Sequence, residues 1–389
     1  NWDEDPVTMA VAAARDCLTG TDKNAINAAY LASTSLPFKD RQNSGIVATA
    51  LNLPEEGLVT ADFTSSLKSG TTALLTAIDA VQGEGKDNVL VAASDARDTK
   101  SAWFYEMWYG DGAASLLVGK DNIIAEFKGA HSVACDFVAS FKGANAKFDY
   151  GWEERWIREE GFAKIIPAAI GGLLEKCNLS MDDVSKIVYP CHLSKRVHQG
   201  IAKPLKAAPE KIQDNLADVV GDTGAAQPLA MFVAALEEAN PGDKIVVASF
   251  GQGCDALLFE VTDSIKKLPA RNGMKGALAN RQEETQYGRL QKFREVVNVE
   301  MGIRAEAQKQ TALSALWRNR KQVLGLVGGE CTKCGTPQFP KMRMCVKPDC
   351  HAVDSQVEHE FADKAGIIKS YTGDMLAVSV DPPAIYGLV

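Results

Sequence analysis

The sequence predicts an α/β protein of two similar halves, continued by a small β segment that carries clustered cysteines. Three observations carry that expectation. Short apolar runs such as Asn88–Ser94 and Lys244–Phe250 alternate with stretches of helical spacing, as strands buried between helical layers do. The same order occurs twice: an elbow and helix, a Gly-Asp turn and a central apolar strand. Four cysteines then gather at 331, 334, 345 and 350, beyond a stretch from about 265 to 310 that is rich in Lys, Arg, Glu and Gln.

Taken in order, Val7, Ala10, Val11, Ala14 and Leu18 space an opening helix. A polar segment (Ala32–Arg41) and a helix near Gly45–Leu51 lead to the stretch 60–82. There a short strand breaks at Ser65-Ser66-Leu67-Lys68-Ser69-Gly70 into a helix with apolar residues at 73, 74, 75, 78 and 81. The unpaired N–H groups and dipole at such a helix start favour an anion or a nucleophile. Strands follow at Asn88–Ser94, Ala113–Val118 and Ile123–Phe127, then one long helix over Trp156–Cys177. The second round reads as a strand at Lys186–Tyr189, helices at Lys195–Lys206 and Asp222–Glu238, and strands at Lys244–Phe250 and Ala256–Val261. Leu313–Leu326 reads as a short amphipathic helix, and from Phe361 alternation with Gly and Pro predicts a small β domain.

At 389 residues, about two or three domains are expected. The expected boundaries are 1–264, a connector at 265–328, a ribbon at 329–360 and a β domain from 361 to 389. A net charge of −8, and a tail whose two lysines face three aspartates, argue against a nucleic-acid partner. No apolar run of about 18 residues predicts a membrane span. Nine cysteines without a regular spacing predict a reducing, cytoplasmic setting rather than a disulfide framework. The chain opens inside a helical pattern and stops inside an apolar run, so it is expected to be a piece of a longer protein.

Cys331-x2-Cys334, ten residues, and Cys345-x4-Cys350 place four thiolates on two knuckles, a donor set that suits structural Zn²⁺. His351 stands beside them as a substitute ligand. His192, between a strand and a helix, is a candidate base, and Cys191 a weaker candidate nucleophile. Asp222, in Gly-Asp-Thr-Gly, reads as a helix cap. Gly251 and Gly253 are candidate backbone donors to a substrate oxygen. Asp95-Ala96-Arg97 and Gly110-Asp111-Gly112 read as turns.

Together the elbow at 62–74, GDGAAS at 110–115, Pro190-Cys191-His192, GDTGAA at 221–226 and SFGQGCDA at 249–256 resemble the thiolase superfamily. The resemblance is nearest to its 3-hydroxy-3-methylglutaryl-CoA synthase branch and more distant to ketoacyl-ACP synthases. From Gly329 the chain resembles the zinc-ribbon and OB-fold module that partners thiolase-like proteins. The resemblance implies a five-layered fold of two halves with the site between them, the first strand and helix preceding Asn1, then a zinc ribbon and a truncated OB-like domain. It implies a coenzyme A thioester as substrate, and a homodimer or a complex with a thiolase-like subunit, pairing through Asn88–Ser94. Its nucleophilic cysteine falls on Leu67, its acid/base glutamate near Thr34 (with Ser35 beside it) and its asparagine on Asp222; its histidine is His192.

A leucine forms no thioester, and Ser66 has no base beside it in sequence. The expectation is therefore an acyl-CoA-dependent enzyme that forms or cleaves a C–C bond without an acyl-enzyme, using His192, Asp222 and Ser66. The alternative is a non-catalytic acyl-CoA-binding or scaffold subunit.

Overall fold

The computed structural model describes residues 3–83, 85–299 and 311–389. They form two compact units, Asn1–Val47 with Leu53–Glu283, and Ala48–Asn52 with Glu284–Val389. The connector expected at 265–328 falls partly on residues 300–310, outside the described residues.

The first unit opens with α1 (Pro6–Cys17), started by a capping box between Asp5 and Thr8 with Pro6 in the first turn. Next come β1 (Ala28–Ala32), α2 (Asn43–Ala50), β2 (Val59–Phe63), α3 (Ser69–Gln82) and β3 (Asn88–Asp95). Asp62 of β2 accepts from the Asn43 and Ser44 amides (2.7 and 2.8 Å), which ties the start of α2 to the sheet. After α4 (Phe104–Trp108) and β4 (Gly112–Gly119), the first sheet is complete in the order β2-β1-β3-β4. β1 pairs in parallel with β2 and β3, and β4 returns antiparallel on β3.

The second half repeats the plan. β5 (Ala125–Ala134), the short β6 (Ser140–Phe141) and β7 (Tyr150–Gly151), and α5 (Glu154–Trp156) lead into a π-helical stretch, Ile157–Phe162, and α6 (Ala163–Lys176). β8 (Lys186–Val188), α7 (Lys195–Ile201), α8 (Gln227–Leu236), β9 (Lys244–Phe250) and β10 (Gly253–Val261) follow. The second sheet runs β5-β10-β9-β8; β8 and β9 are parallel, and β10 returns antiparallel on β9. α3 and α8 pack on each other between the sheets, α1 covers β3 and β4, and α6 covers β5, β9 and β10. That gives five layers, α-β-α-β-α. Ala73, Leu74, Leu229 and Met231 from the two middle helices are at most 2% exposed, so truncating such a leucine costs about 2–5 kcal/mol. Among the described residues, no helix is long and apolar enough to cross a membrane.

Several expectations change. β1 stands where no strand was expected, and all five of its residues are buried. The single helix expected at Trp156–Cys177 is interrupted by the π stretch, which turns Ile157 and Phe162 inward. The helix expected at Lys195–Lys206 stops at Ile201, and Pro204 is left in a 3₁₀ turn. Pairing through Asn88–Ser94 is corrected: β3 lies between β1 and β4, so both of its hydrogen-bonding edges are occupied within the chain. Residues beyond 264 continue the first unit: the Met274 amide of α9 (Gly273–Ala279) donates to Glu237 (2.6 Å), and Arg271 donates to the Cys17 carbonyl (2.6 Å).

The second unit carries α10 (Tyr287–Phe293), α11 (Leu313–Arg318), α12 (Arg320–Gly325) and a three-stranded sheet of β12 (Pro337–Gln338), β11 (Val327–Cys331) and β13 (Gln356–Glu360). β14 (Ser370–Asp374) and β15 (Ala384–Leu388) form an antiparallel pair beyond it.

Candidate active site

His192 is positioned by a clasp that follows β8. Tyr189, fully buried, donates its hydroxyl to the His198 carbonyl (2.8 Å), while the His198 ring lies 3.1 Å from the Tyr189 carbonyl. Asn215 donates to the Cys191 carbonyl (2.8 Å). Held at both ends, the Pro-Cys-His turn presents the His192 ring between Trp108 and Phe162, at centroid distances of 5.5 and 5.6 Å. Phe162 ends the π-helical stretch, a local distortion that often marks functional sites.

The Nδ1 of His192 lies 3.6 Å from Asp222 Oδ2, and its Nε2 is buried with no hydrogen-bond partner among the described residues. Asp222 is fixed by main chain on one side, where its amide donates to the Trp108 carbonyl (2.7 Å) and its carbonyl accepts from Gly110 (3.0 Å). Arg97 fixes it on the other, donating to Oδ2 at 2.9 Å and to the carbonyl at 3.2 Å. The guanidinium lies over the Tyr109 ring at 3.6 Å, where the ring face attracts it. Burial alone would raise the Asp222 carboxyl, but the Arg97 guanidinium beside it outweighs this and holds it below the usual range. Burial lowers His192 below its ordinary value although Asp222 opposes this. The pair at neutral pH is thus a carboxylate beside a neutral imidazole, and a carboxylate facing Nδ1 favours the tautomer with its proton there. Nε2 is then the free base.

Asp95, two residues before Arg97 at the end of β3, gathers the loop after β1. It accepts from the Ser33 hydroxyl (2.9 Å), the Thr34 amide and hydroxyl (2.7 and 3.0 Å), the Ser35 hydroxyl (2.7 Å) and the Ala225 amide (2.7 Å). Thr34 and Ser35 are therefore bound to Asp95 through their own hydroxyls. The elbow is separate. Ser66 donates its hydroxyl to the Gly251 carbonyl (2.8 Å), and the Gly251 amide donates to the Gly253 carbonyl (2.9 Å). A Cβ on Gly251 would stand 2.8 Å from Ser66 Oγ and 2.7 Å from the Lys68 amide, so this approach needs glycine. No hydrogen bond joins the Ser66–Gly251 pair to the His192–Asp222 pair among the described residues. Cys191 is buried and its thiol is pushed up to about 12 by that burial, which suppresses a nucleophilic thiolate.

His192 also borders a cavity of ≈ 420 Å³ whose wall includes Trp103, Phe104, Trp108, Tyr109, Phe148 and Trp152. The sequence reading takes Asp95-Ala96-Arg97 only as a turn, and it does not single out this wall. The available signal was an Asp-x-Arg pair at the carboxyl end of a buried strand, where α/β folds place their sites.

In the second unit the sulfurs of Cys331, Cys334, Cys345 and Cys350 all lie within 4.8 Å of one another. Cys331–Cys350 and Cys334–Cys345 stand 3.8 and 3.5 Å apart, close to the edge of about 3.8 Å for a tetrahedron with Zn–S bonds of about 2.3 Å. The Ser355 hydroxyl, then the amides of Cys334 and Lys333, lower the Cys331 thiol to about 6, toward the thiolate a metal takes. His351 is exposed and outside this group.

Residues 174–260 match the family profile of the 3-oxoacyl-[acyl-carrier-protein] synthase III C-terminal region. The chain is 28% identical over 271 residues to a hydroxymethylglutaryl-CoA synthase of Caldivirga maquilingensis, covering 68% of this chain and 76% of that protein. It is 29% identical over 272 residues to one of Methanopyrus kandleri, with the same coverage. A solved HMG-CoA synthase complexed with CoA superposes with a TM-score of 0.63 at 19% identity, over 79% of this chain and 82% of that one. The 3-oxoacyl-[acyl-carrier-protein] synthase III of Aquifex aeolicus gives 0.59 at 19%, over 66% and 85%. With its duplicated five-layered core and these relatives, the chain has a thiolase-like ketoacyl-synthase fold and is a homologue, at about 28% identity, of the hydroxymethylglutaryl-CoA synthases.

Proposed function

We propose that the protein makes or breaks a carbon–carbon bond next to the carbonyl of an acyl-CoA thioester, without transferring the acyl group to itself. The observation that carries this is His192, which lines the cavity; its Nε2 has no hydrogen-bond partner among the described residues, and its Nδ1 lies 3.6 Å from Asp222. In the cleaving direction a β-hydroxyacyl thioester gives its hydroxyl proton to Nε2. The O–H electrons become the new C=O, and the Cα–Cβ pair becomes the thioester enolate. The imidazolium returns the proton to that carbon, releasing a ketone or aldehyde and a shorter acyl-CoA. Nε2 can accept because burial keeps the imidazole neutral. Leu67 and the engagement of Ser66 with Gly251 support a route with no acyl-enzyme. Gly251 and Gly253 are the backbone donors proposed for the enolate oxygen, although the Gly251 amide already serves Gly253.

The same leucine favours a second reading, an acyl-CoA-binding scaffold that works with a thiolase-like subunit or as a homodimer. Zn²⁺ held by the four cysteines would be structural in either case, since four protein thiolates leave no open position. The ribbon and the following strands would then be the module at 329–360 and 361–389, outside the thiolase-like domain.

The test is the full-length protein with β-hydroxyacyl-CoA substrates, followed by release of the shorter thioester. His192→Ala should lower turnover by about 10²–10⁴-fold. Equal activity in both proteins removes His192 from the mechanism, and intact binding with no turnover selects the scaffold. Intact mass should not change on incubation with acetyl-CoA; an acetyl group mapped to Ser65, Ser66 or Cys191 would overturn the non-covalent route. Metal analysis should give about one Zn²⁺ per chain, and its absence from unchelated protein would remove that assignment.

A further inference from the structure

We infer that the acyl group carried by the substrate is bulky and ring-bearing, and that the wall formed by residues 103–109 and 148–152 selects it. This rests on the acyl-CoA reading above and names the substrate class of the same site.

The rings form a continuous track. Trp103 meets Phe104 (5.7 Å between centroids), Phe104 stacks on Trp108 (6.1 Å, 25° between planes), and Trp108 meets His192 (5.5 Å). The outer members are exposed, Trp103 by 48%, Phe104 by 59% and Trp152 by 42%. Large apolar rings left in water at the mouth of a cavity mark a surface that gains free energy when covered. The inner end of the track is the His192 ring, so a group lying along it ends against the proposed base.

Volume points the same way. A cavity of about 150 Å³ already holds a benzene molecule, and the space here is ≈ 420 Å³. An acetyl group would leave most of that wall uncovered. A planar ring meets it edge to face or offset-stacked, the geometries that aromatic faces prefer.

The experiment is calorimetric titration of the full-length protein with phenylacetyl-CoA, acetyl-CoA and CoA, repeated with Trp103→Ala and Trp103→Phe. Trp103 is exposed, so neither change should unfold the chain. The phenylacetyl thioester should bind about tenfold more tightly than the acetyl one. That advantage should shrink in Trp103→Ala and return in Trp103→Phe. Equal affinity for the two thioesters would overturn the inference and leave the acyl-CoA reading standing. Equal weakening of all three compounds by Trp103→Ala would assign the rings to the nucleotide base, which also overturns it. Binding of none of the three would remove the acyl-CoA reading, and this inference with it.

Discussion

The two antiparallel hairpins at the heart of the halves differ mainly in what joins their strands. β9 turns into β10 through Gly251 and Gln252 alone, whereas β3 reaches β4 through residues 96–111. Each connection crosses to the other half. The long one brings Arg97, Trp108 and Gly110 to Asp222, and the short one brings Gly251 to Ser66 at the elbow. The short turn is spent on a single carbonyl and one close backbone approach. The long one has room for a buried cation, a helical turn and a wall of rings. A duplicated scaffold thus supplies two equivalent openings, and the proposed site lies beside the longer of them.

The contrast breaks most visibly at Arg97. Its side chain is 3% exposed and pairs with Asp222, and removing one partner of such a pair costs about 3–5 kcal/mol. Arg97→Leu should lower the urea midpoint accordingly; a change under about 1 kcal/mol would mean that Asp222 is not held as described. Gly110→Ala comes next. Its Cβ would stand 1.8 Å from the Val220 carbonyl oxygen, so the two loops must part, at about 1–3 kcal/mol. Retention of wild-type stability would show that the long connection moves freely against the Asp222 loop.

A smaller effect is expected from pH. His192 is held below its ordinary value of about 6.5, so the unfolded chain takes up this proton first. Its contribution to stability is complete above about pH 6.5 and is lost as pH falls toward the folded-state value. Stability of the wild type should therefore decline on the acid side of that point more steeply than that of His192→Gln; parallel curves would refute the burial of a neutral ring. The short turn should respond least. Gln252 sits at φ 52°, and relief of that strain in Gln252→Gly is offset by the backbone freedom glycine gains on unfolding, leaving under about 1 kcal/mol in either direction. A larger loss would give the short turn a role beyond closing the hairpin.

Much of this was legible in the sequence because apolar runs and glycine turns act locally. Val89–Ala93 and Ile245–Ala248 read as strands since a short apolar run flanked by polar residues fits a sheet interior better than a surface helix. His192 and Asp222 were found through their motifs, and the structure places them 3.6 Å apart. β1 escaped because three of its five residues are alanine, whose small side chain gives no strand signal; its burial comes from β2 and β3, which the local sequence does not mention. Asp95 and Arg97 escaped for a related reason. Charges at a strand end read as solvent-facing until partners at Ser33, Thr34, Ala225 and Asp222 arrive from distant segments. The break in the helix at 157–162 gives no signal in apolar spacing, since Ile157 and Phe162 fit either register.

Arg97 also sets how many protons the site can hold. A guanidinium does not give up its charge in the range where proteins work, and it keeps Asp222 from taking a proton until well into acid. Of the Arg97–Asp222–His192 group only the imidazole is left to titrate near neutral pH, so this group stores one proton or none. If the proposed reaction runs through His192, its rate should switch on along a single ionisation as pH rises and then stay level, rather than passing through a bell between two partners.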